Sequence, residues 1–393
     1  MKSLLVLFVS LSFTANAYKS FHGLSYEERT KCVGDNARCA LDKSQLDVIV
    51  VGDTGGISFD LSHEIGTYMS TKLQRRLAVS MAQFSEENPV DFFLTLGDNI
   101  YWNGVDDSCD KRFETLFEEP YLDGRLLKPW YMIAGNHDHL GNIQAQIEYS
   151  QNKGKWTFPS LYYKSSYSIN GGRTRADFIF VDSILMCGVT VDPNSRSFAS
   201  WLWEVVANRK SLTGPKPGYE EEDRKQMRWL EKQLNESTAD YIFVSSHYPI
   251  HSVASHGPTH CLQNKLDPLL RKYNVSAYFA GHDHALEYFR EEKLDNNGRN
   301  TTMHYVVSGI GSRLDISDEH LNEETSRILL YRYPTSSDIH WLKRTMRTHL
   351  LGRGHGGFVN LVVKANEAEL IFHASKDAPE TYRASIPPRK RQT

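Results

Sequence analysis

Eight residues in this chain have the types and spacing to do chemistry together: Asp53, Asp98, Tyr101, Asn136, His137, His247, His282 and His284. They stand where short apolar runs break into polar turns: VIVVGDTGG, FFLTLGDNIY, WYMIAGNHDHL, YIFVSSHYP and AYFAGHDH. A strand that delivers polar groups at its C-terminal end marks the place where ligands bind in open α/β folds. One Asp or Asn at such an end is ordinary helix capping, but five endings of one kind in one chain describe a site. Imidazoles, carboxylates and an amide oxygen are ligands for first-row metals. One ion rarely needs so many donors. Two ions sharing a bridging carboxylate use them all, and two-metal sites promote in-line attack at a phosphorus centre. The glycine before Asp53, Asp98, Asn136 and His282 lets the backbone pass close to such a site.

These groups need strands and helices to hold them. Leu46–Val51 is continuous and β-branched, as in a strand buried on both faces. Leu73, Leu77, Met81 and Phe84 recur at helical spacing, Asn88 and Pro89 stop that helix, and Asp91–Leu96 is the next strand. This strand–helix–strand unit gives the sheet parallel character. Trp130–Ala134 reads as a third strand. Tyr162–Ile169 and Asp177–Val181 alternate polar and apolar residues and read as strands of a second sheet. Gln226–Leu234 is helical. Asp240–Ser245, a helix through Leu266, Leu269, Leu270 and Tyr273, and Ala277–Ala280 form a second such unit. Met303–Val307, Phe358–Val363 and Glu369–His373 close the chain with strands. Ser195–Arg224 is charged and bears Pro and Gly, so it is expected to be a mobile loop insertion.

The chain has 393 residues, is 40% apolar and carries a formal charge of −3, so it can bury a full core and gives no sign of a nucleic-acid partner. Residues 1–17, with Lys2, a short apolar core and an Ala15-Asn16-Ala17 ending, read as a secretory signal peptide. No other stretch is long and apolar enough to span a membrane. Residues 18–45 form a polar, irregular N-terminal arm, 46–388 the main domain, and 389–393 a basic tail, with Pro387–Arg391 expected to fray. In an oxidising compartment the five cysteines are expected to include at least one disulfide. Cys32 and Cys39 lie close enough in sequence to clip the arm, though spacing alone leaves the pairing open. Asn235, Asn274 and Asn300 open sequons that N-glycans could occupy.

Taken in order, GD, GDNIY, GNHD, HYP and GHDH resemble the calcineurin-like metallophosphoesterases. The Tyr of GDNIY narrows the resemblance to purple acid phosphatases. The stretches GNHDHLGN, HYPIHSVASHGPTHCL, GHDHALEY and GGFVNLVV are similar to the small, mammalian-type tartrate-resistant acid phosphatases. With the two βαβ halves and the antiparallel-looking strands, this predicts an α/β fold, a four-layer α/β/β/α sandwich of two mixed sheets with the metals at one edge. The resemblance implies a secreted or lysosomal acid phosphatase that hydrolyses phosphate monoesters by attack of a metal-bound hydroxide. Its substrates would be small phosphate monoesters or phosphoproteins, and it is expected to act as a monomer.

The resemblance also implies roles. Asp53, Tyr101 and His284 would hold Fe(III). Asn136, His247 and His282 would hold a divalent ion, Fe(II), Zn(II) or Mn(II), and Asp98 would bridge the two. His137 and His256 would stand beside the leaving group, where a protonated imidazole can bind phosphate and donate a proton. Cys187 and Cys261 match positions that form a disulfide in the family, which leaves Cys109 as the unpaired thiol. Thr54 stands where Trp is usual and His251 where an aromatic is usual. Two other readings are weighed against this one: a metallophosphodiesterase on the same fold, and an iron-binding or redox protein with incidental phosphatase activity. Tyr101 speaks against the first, since that class lacks the Tyr ligand. His137 with His256 speaks against the second, since an iron carrier does not need two acids beside its metals.

Overall fold

The computed structural model describes residues 23–59, 67–69, 72–152, 154–188, 219–294, 298, 300–335, 355–374 and 377–389. The signal peptide, residues 195–218 of the expected loop and the end of the basic tail lie outside the described residues.

Among the described residues there are two large mixed sheets. The seven-stranded sheet runs in the order Glu380–Ile386, Ala368–Ala374, Gly357–Val363, Leu46–Val51, Phe92–Thr95, Trp130–Tyr131, Trp156–Thr157. Its Leu46–Val51, Phe92–Thr95 and Trp130–Tyr131 strands are parallel, and the Gly357–Val363 strand joins antiparallel. The eight-stranded sheet runs Cys39–Ala40, Tyr163–Ile169, Thr174–Phe180, Tyr241–Ser245, Ala277–Ala280, Asn300–Ser308, Leu286–Leu294, Leu329–Tyr333. Both predicted βαβ units are present, one in each sheet.

Side-chain alternation explains why the sheets stack. Residues of a strand point alternately to its two faces. In the eight-stranded sheet, Phe178, Phe180, Tyr241, Phe243, Ala277 and Phe279 join the same core as Val48, Val50 and Phe92 of the other sheet. Their neighbours Ile179, Val181, Ile242, Val244, Tyr278 and Ala280 instead pack outward with Leu230 and Leu234 of helix Tyr219–Glu236 and with Leu262, Leu266 and Leu270. Phe92 meets Tyr167 at 4.9 Å and Phe178 at 5.1 Å between ring centroids, directly across the seam. Helix Lys72–Glu87 covers the outside of the seven-stranded sheet through Leu73, Leu77 and Met81. The layers are therefore helix, sheet, sheet, helix, as expected.

Several expectations need correction. The third strand ends at Tyr131, not Ala134. Met132 donates a single backbone bond to Thr157, and the chain then turns toward the site. The predicted helix through Leu266 is two helices, His260–Lys265 and Asp267–Lys272. Residues 219–224, taken as loop, are the first turns of helix Tyr219–Glu236. There Glu220–Glu222 favour the positive helix end, and Glu221–Arg224 and Glu222–Lys225 pair along the helix surface. Arg389 does not fray. Its guanidinium donates to the carbonyls of Asn274, Ala239 and Tyr273. The arm is not irregular throughout: it contains helix Tyr26–Thr30 and a short strand closed by the Cys32–Cys39 disulfide. Cys187 pairs with Cys261, and Cys109 is free and exposed.

Candidate metal centre

The site residues come from both sheets. Asp53 follows strand Leu46–Val51, Asp98 and Tyr101 follow Phe92–Thr95, and Asn136 and His137 follow Trp130–Tyr131. His247 follows Tyr241–Ser245, and His282 and His284 follow Ala277–Ala280. The turns are tight enough that glycine is required. A Cβ on Gly135 would collide with the Asp98 carboxylate, and one on Gly281 with that of Asp53. Asp53, Asp98 and His282 have φ of 57°, 50° and 70°. Left-handed non-glycine residues cost about 1–3 kcal/mol each and cluster at functional sites.

Two groups of donors result. In one, the Tyr101 hydroxyl donates to Asp53 Oδ1 at 2.9 Å and lies 3.1 Å from His284 Nε2, which is 3.5 Å from Asp53 Oδ1. In the other, single ligand atoms of Asp98, His247 and His282 all lie within 4.8 Å of one another. His247 Nε2 is 2.9 Å from Asn136 Oδ1 and 3.4 Å from Asp98 Oδ1. His247 Nδ1 is turned to the Leu96 carbonyl at 2.7 Å, which leaves Nε2 to face the cluster. His282 and His284, two residues apart, thus serve different groups. His137 lies against both: its backbone N–H donates to Asp98 Oδ1 at 2.9 Å, and its ring is 4.7 Å from that of Tyr101. His137 Nδ1 donates to the Trp102 carbonyl at 2.6 Å, so the ring presents Nε2, 4.0 Å from Asp98 Oδ2. His256 stacks on His282 with ring centroids 4.4 Å apart.

The electrostatics call for positive charge. Burial alone would push the Asp98 carboxyl up, but His247 and His137 beside it hold it well below the usual range. Burial pushes His247 down, yet Asp98 and Asp53 outweigh it and bring the imidazole up to about 9. Burial, Asp53 and Asp98 together hold the Tyr101 phenol well above its ordinary value. Buried carboxylates beside imidazoles suit a bound cation, and a cation would have to compete with the phenol proton at Tyr101.

Sequence reasoning missed the groups that hold the turns. Asp138 takes the backbone N–H of Asn99, Ile100 and Gly135. The loop that carries His256 rests on three buried carboxylates. Asp283 accepts from the N–H of His256 and Gly257, Asp315 from Ser255, and Glu287 from Val253. Asp138 and Asp283 are the acids inside GNHD and GHDH, and their place in those motifs was the available signal. His251 does not join the donor groups. It lies in a separate buried cluster, 3.6 Å from Glu291 and edge-on to Tyr305.

Residues 46–286 match the family model for calcineurin-like phosphoesterases. Human tartrate-resistant acid phosphatase type 5 is 38% identical over 75% of this chain and 81% of its own length. The rat protein of that name is 34% identical over 90% and 94%.

The chain belongs to the calcineurin-like phosphoesterases, in their purple acid phosphatase branch.

Purple acid phosphatase 4 of Arabidopsis thaliana is more distant, 28% identical over 66% of this chain and 69% of its own. Among solved structures, GAP50, described as the anchor in the inner membrane complex of Plasmodium, shares the fold with a TM-score of 0.65. It is 24% identical, with 89% of this chain and 91% of that one covered. Kinship with purple acid phosphatases implies a binuclear metal centre, and the donors fit one. They are of the right types, they form two adjacent groups, and Asp98 is a buried carboxylate within reach of the imidazoles.

Glu287 gives the fold of this purple acid phosphatase a pH signature. It is fully buried, and burial, reinforced by Asp283, outweighs Arg332 at 3.1 Å and pushes its carboxyl from 4.5 up to about 7. A raised carboxyl contributes stability that is complete below pH 4.5 and is lost as pH rises through 7. The full interval is worth about 3 kcal/mol. Glu287→Gln should remove that slope. Urea unfolding of both proteins between pH 4.5 and 8 (roughly one unit beyond the upper value) checks it, and parallel profiles would exclude Glu287 as the cause.

Proposed function

We propose that this chain is an acid phosphatase of the secretory pathway, exported or lysosomal, that hydrolyses phosphate monoesters at a centre of Fe(III) and a divalent ion. The observation that carries this reading is Tyr101: a buried phenol whose hydroxyl lies between a carboxylate and an imidazole. A metallophosphodiesterase without a tyrosine ligand has no use for that placement. Asp53, Tyr101 and His284 would hold Fe(III). Asn136, His247 and His282 would hold the divalent ion, Fe(II), Zn(II) or Mn(II), with Asp98 shared. When bound, the ions neutralise the phosphate and supply a nucleophile at acid pH.

The chain's own residues do the rest. His137, with Nδ1 committed to the Trp102 carbonyl, turns Nε2 toward the shared carboxylate and can hold a phosphate oxygen there. His256 stacks on the ring of His282, half-buried, where a protonated imidazole would donate to the leaving alkoxide. Asn235 and Asn300 of the sequons are exposed, as glycan acceptors must be. No described helix is long and apolar enough to cross a membrane.

Metal analysis and a visible spectrum of the purified protein test the reading. Iron should be present, and phenolate-to-Fe(III) charge transfer should colour the protein purple or pink. Tyr101→Phe keeps the ring and loses one hydroxyl, so the fold should lose only about 1 kcal/mol while the colour disappears. A Tyr101→Phe protein that keeps its band would show that the phenolate is not the ligand.

A further inference from the structure

Beyond strand Asn300–Ser308, residues 309–315 are stitched to the turns that carry Asp53 and His284, one from each sheet. Gly311 donates to the Gly52 carbonyl at 3.1 Å, the Ser312 hydroxyl to the Asp53 carbonyl at 2.7 Å, and Asp315 to the His284 carbonyl at 2.7 Å. Between these bonds Arg313 reaches over the site. Its guanidinium carbon lies 4.0 Å from the centroid of the Tyr101 ring and 4.3 Å from that of Trp102. Its Nε and Nη2 are shielded from solvent and meet no hydrogen-bond acceptor among the described residues.

Two buried N–H groups of a cation without acceptors are costly. The electron-rich faces of the two rings compensate in part. A neutral phenol is a weak counter-charge for a guanidinium, whereas a phenolate carries a full one.

We propose that Arg313 is a positioning residue of the metal centre: a fixed cation, laid on the ring face, that stabilises the Tyr101 phenolate and sets its electronic energy. The proposal rests on the iron–phenolate reading above. Its consequence has a definite sign. The guanidinium lies over the ring, whereas a ligated ion would lie at the ring's hydroxyl edge. The cation therefore holds an electron on the ring more strongly than on the iron and raises the charge-transfer energy.

The test is the visible spectrum of iron-loaded protein. Arg313→Met keeps the length and loses the charge, and its band should move to longer wavelength. Arg313→Lys keeps the charge but not the planar stack, and its band should fall between that of Arg313→Met and the native one. A purely structural role would not order the three proteins by charge. If Arg313→Met does not fold, Arg313→Gln, with a planar uncharged end, reads the same shift. A coloured, folded Arg313→Met or Arg313→Gln with an unmoved band would overturn the role of Arg313 and leave the phenolate assignment standing. A colourless native iron-loaded protein would overturn both.

Discussion

Asp98→Asn should abolish turnover, by roughly 10³-fold or more, while leaving the fold intact. Asn keeps an oxygen to accept the His137 N–H, and it tolerates the left-handed backbone at φ 50°. What it removes is the negative charge to which both donor groups respond. Without the Asp98 carboxylate, the attraction that brings His247 up to about 9 is largely gone and burial pushes that imidazole down. The purified variant should contain fewer than two metal ions per chain. Metal content by mass spectrometry, alongside kcat on a phosphate monoester, checks both halves. A variant with two ions and native turnover would remove Asp98 from the shared position.

The second large effect belongs to His256. If it protonates the leaving alkoxide, His256→Ala should lower kcat by roughly 10²–10⁴-fold on an alkyl phosphate. The loss should be much smaller on an aryl phosphate, whose leaving group departs without a proton. His137→Ala should instead cost both substrates alike, because its ring is held by the Trp102 carbonyl beside Asp98, whereas His256 lies on the ring of His282. The reverse pattern would exchange the two roles. Neither substitution should disturb the turn beneath His256, since Asp283 holds that turn through backbone N–H groups.

The sheet ends were legible because an apolar run that breaks at Gly-Asp or Gly-His is a strong local signal. All eight of the first-named residues come together in one place. Other features were set by tertiary contacts that no local pattern carries. Met132, Ile133 and Ala134 are buried and apolar like strand residues, yet the ladder stops at Tyr131 because the chain must turn to present Asn136. Strand Leu286–Leu294 went unread because its second half, REEKL, is mostly exposed, and charge there looks like loop. Strand Glu380–Ile386 is a largely exposed edge with little apolar content. The acidic run at 220–223 looked like part of the loop insertion and is a helix start. Arg389 looked frayed and instead finds three carbonyls across the fold. Arg313 lies far from Tyr101 in sequence and in no motif, so only the folded chain brings it to the ring.

Each donor group draws on both sheets: Asp53 and Tyr101 from one with His284 from the other, Asp98 and Asn136 from one with His247 and His282 from the other. Ions held by these donors would be rivets through the sandwich. Neither sheet alone carries a full donor group, so metal loading by these residues would have to follow the docking of the two sheets. Once in place, such rivets would oppose the sliding of one sheet on the other, and their binding free energy would become part of the stability of the whole domain. The turn His282–His284 feeds both donor groups, so a shift of that turn would be felt at both.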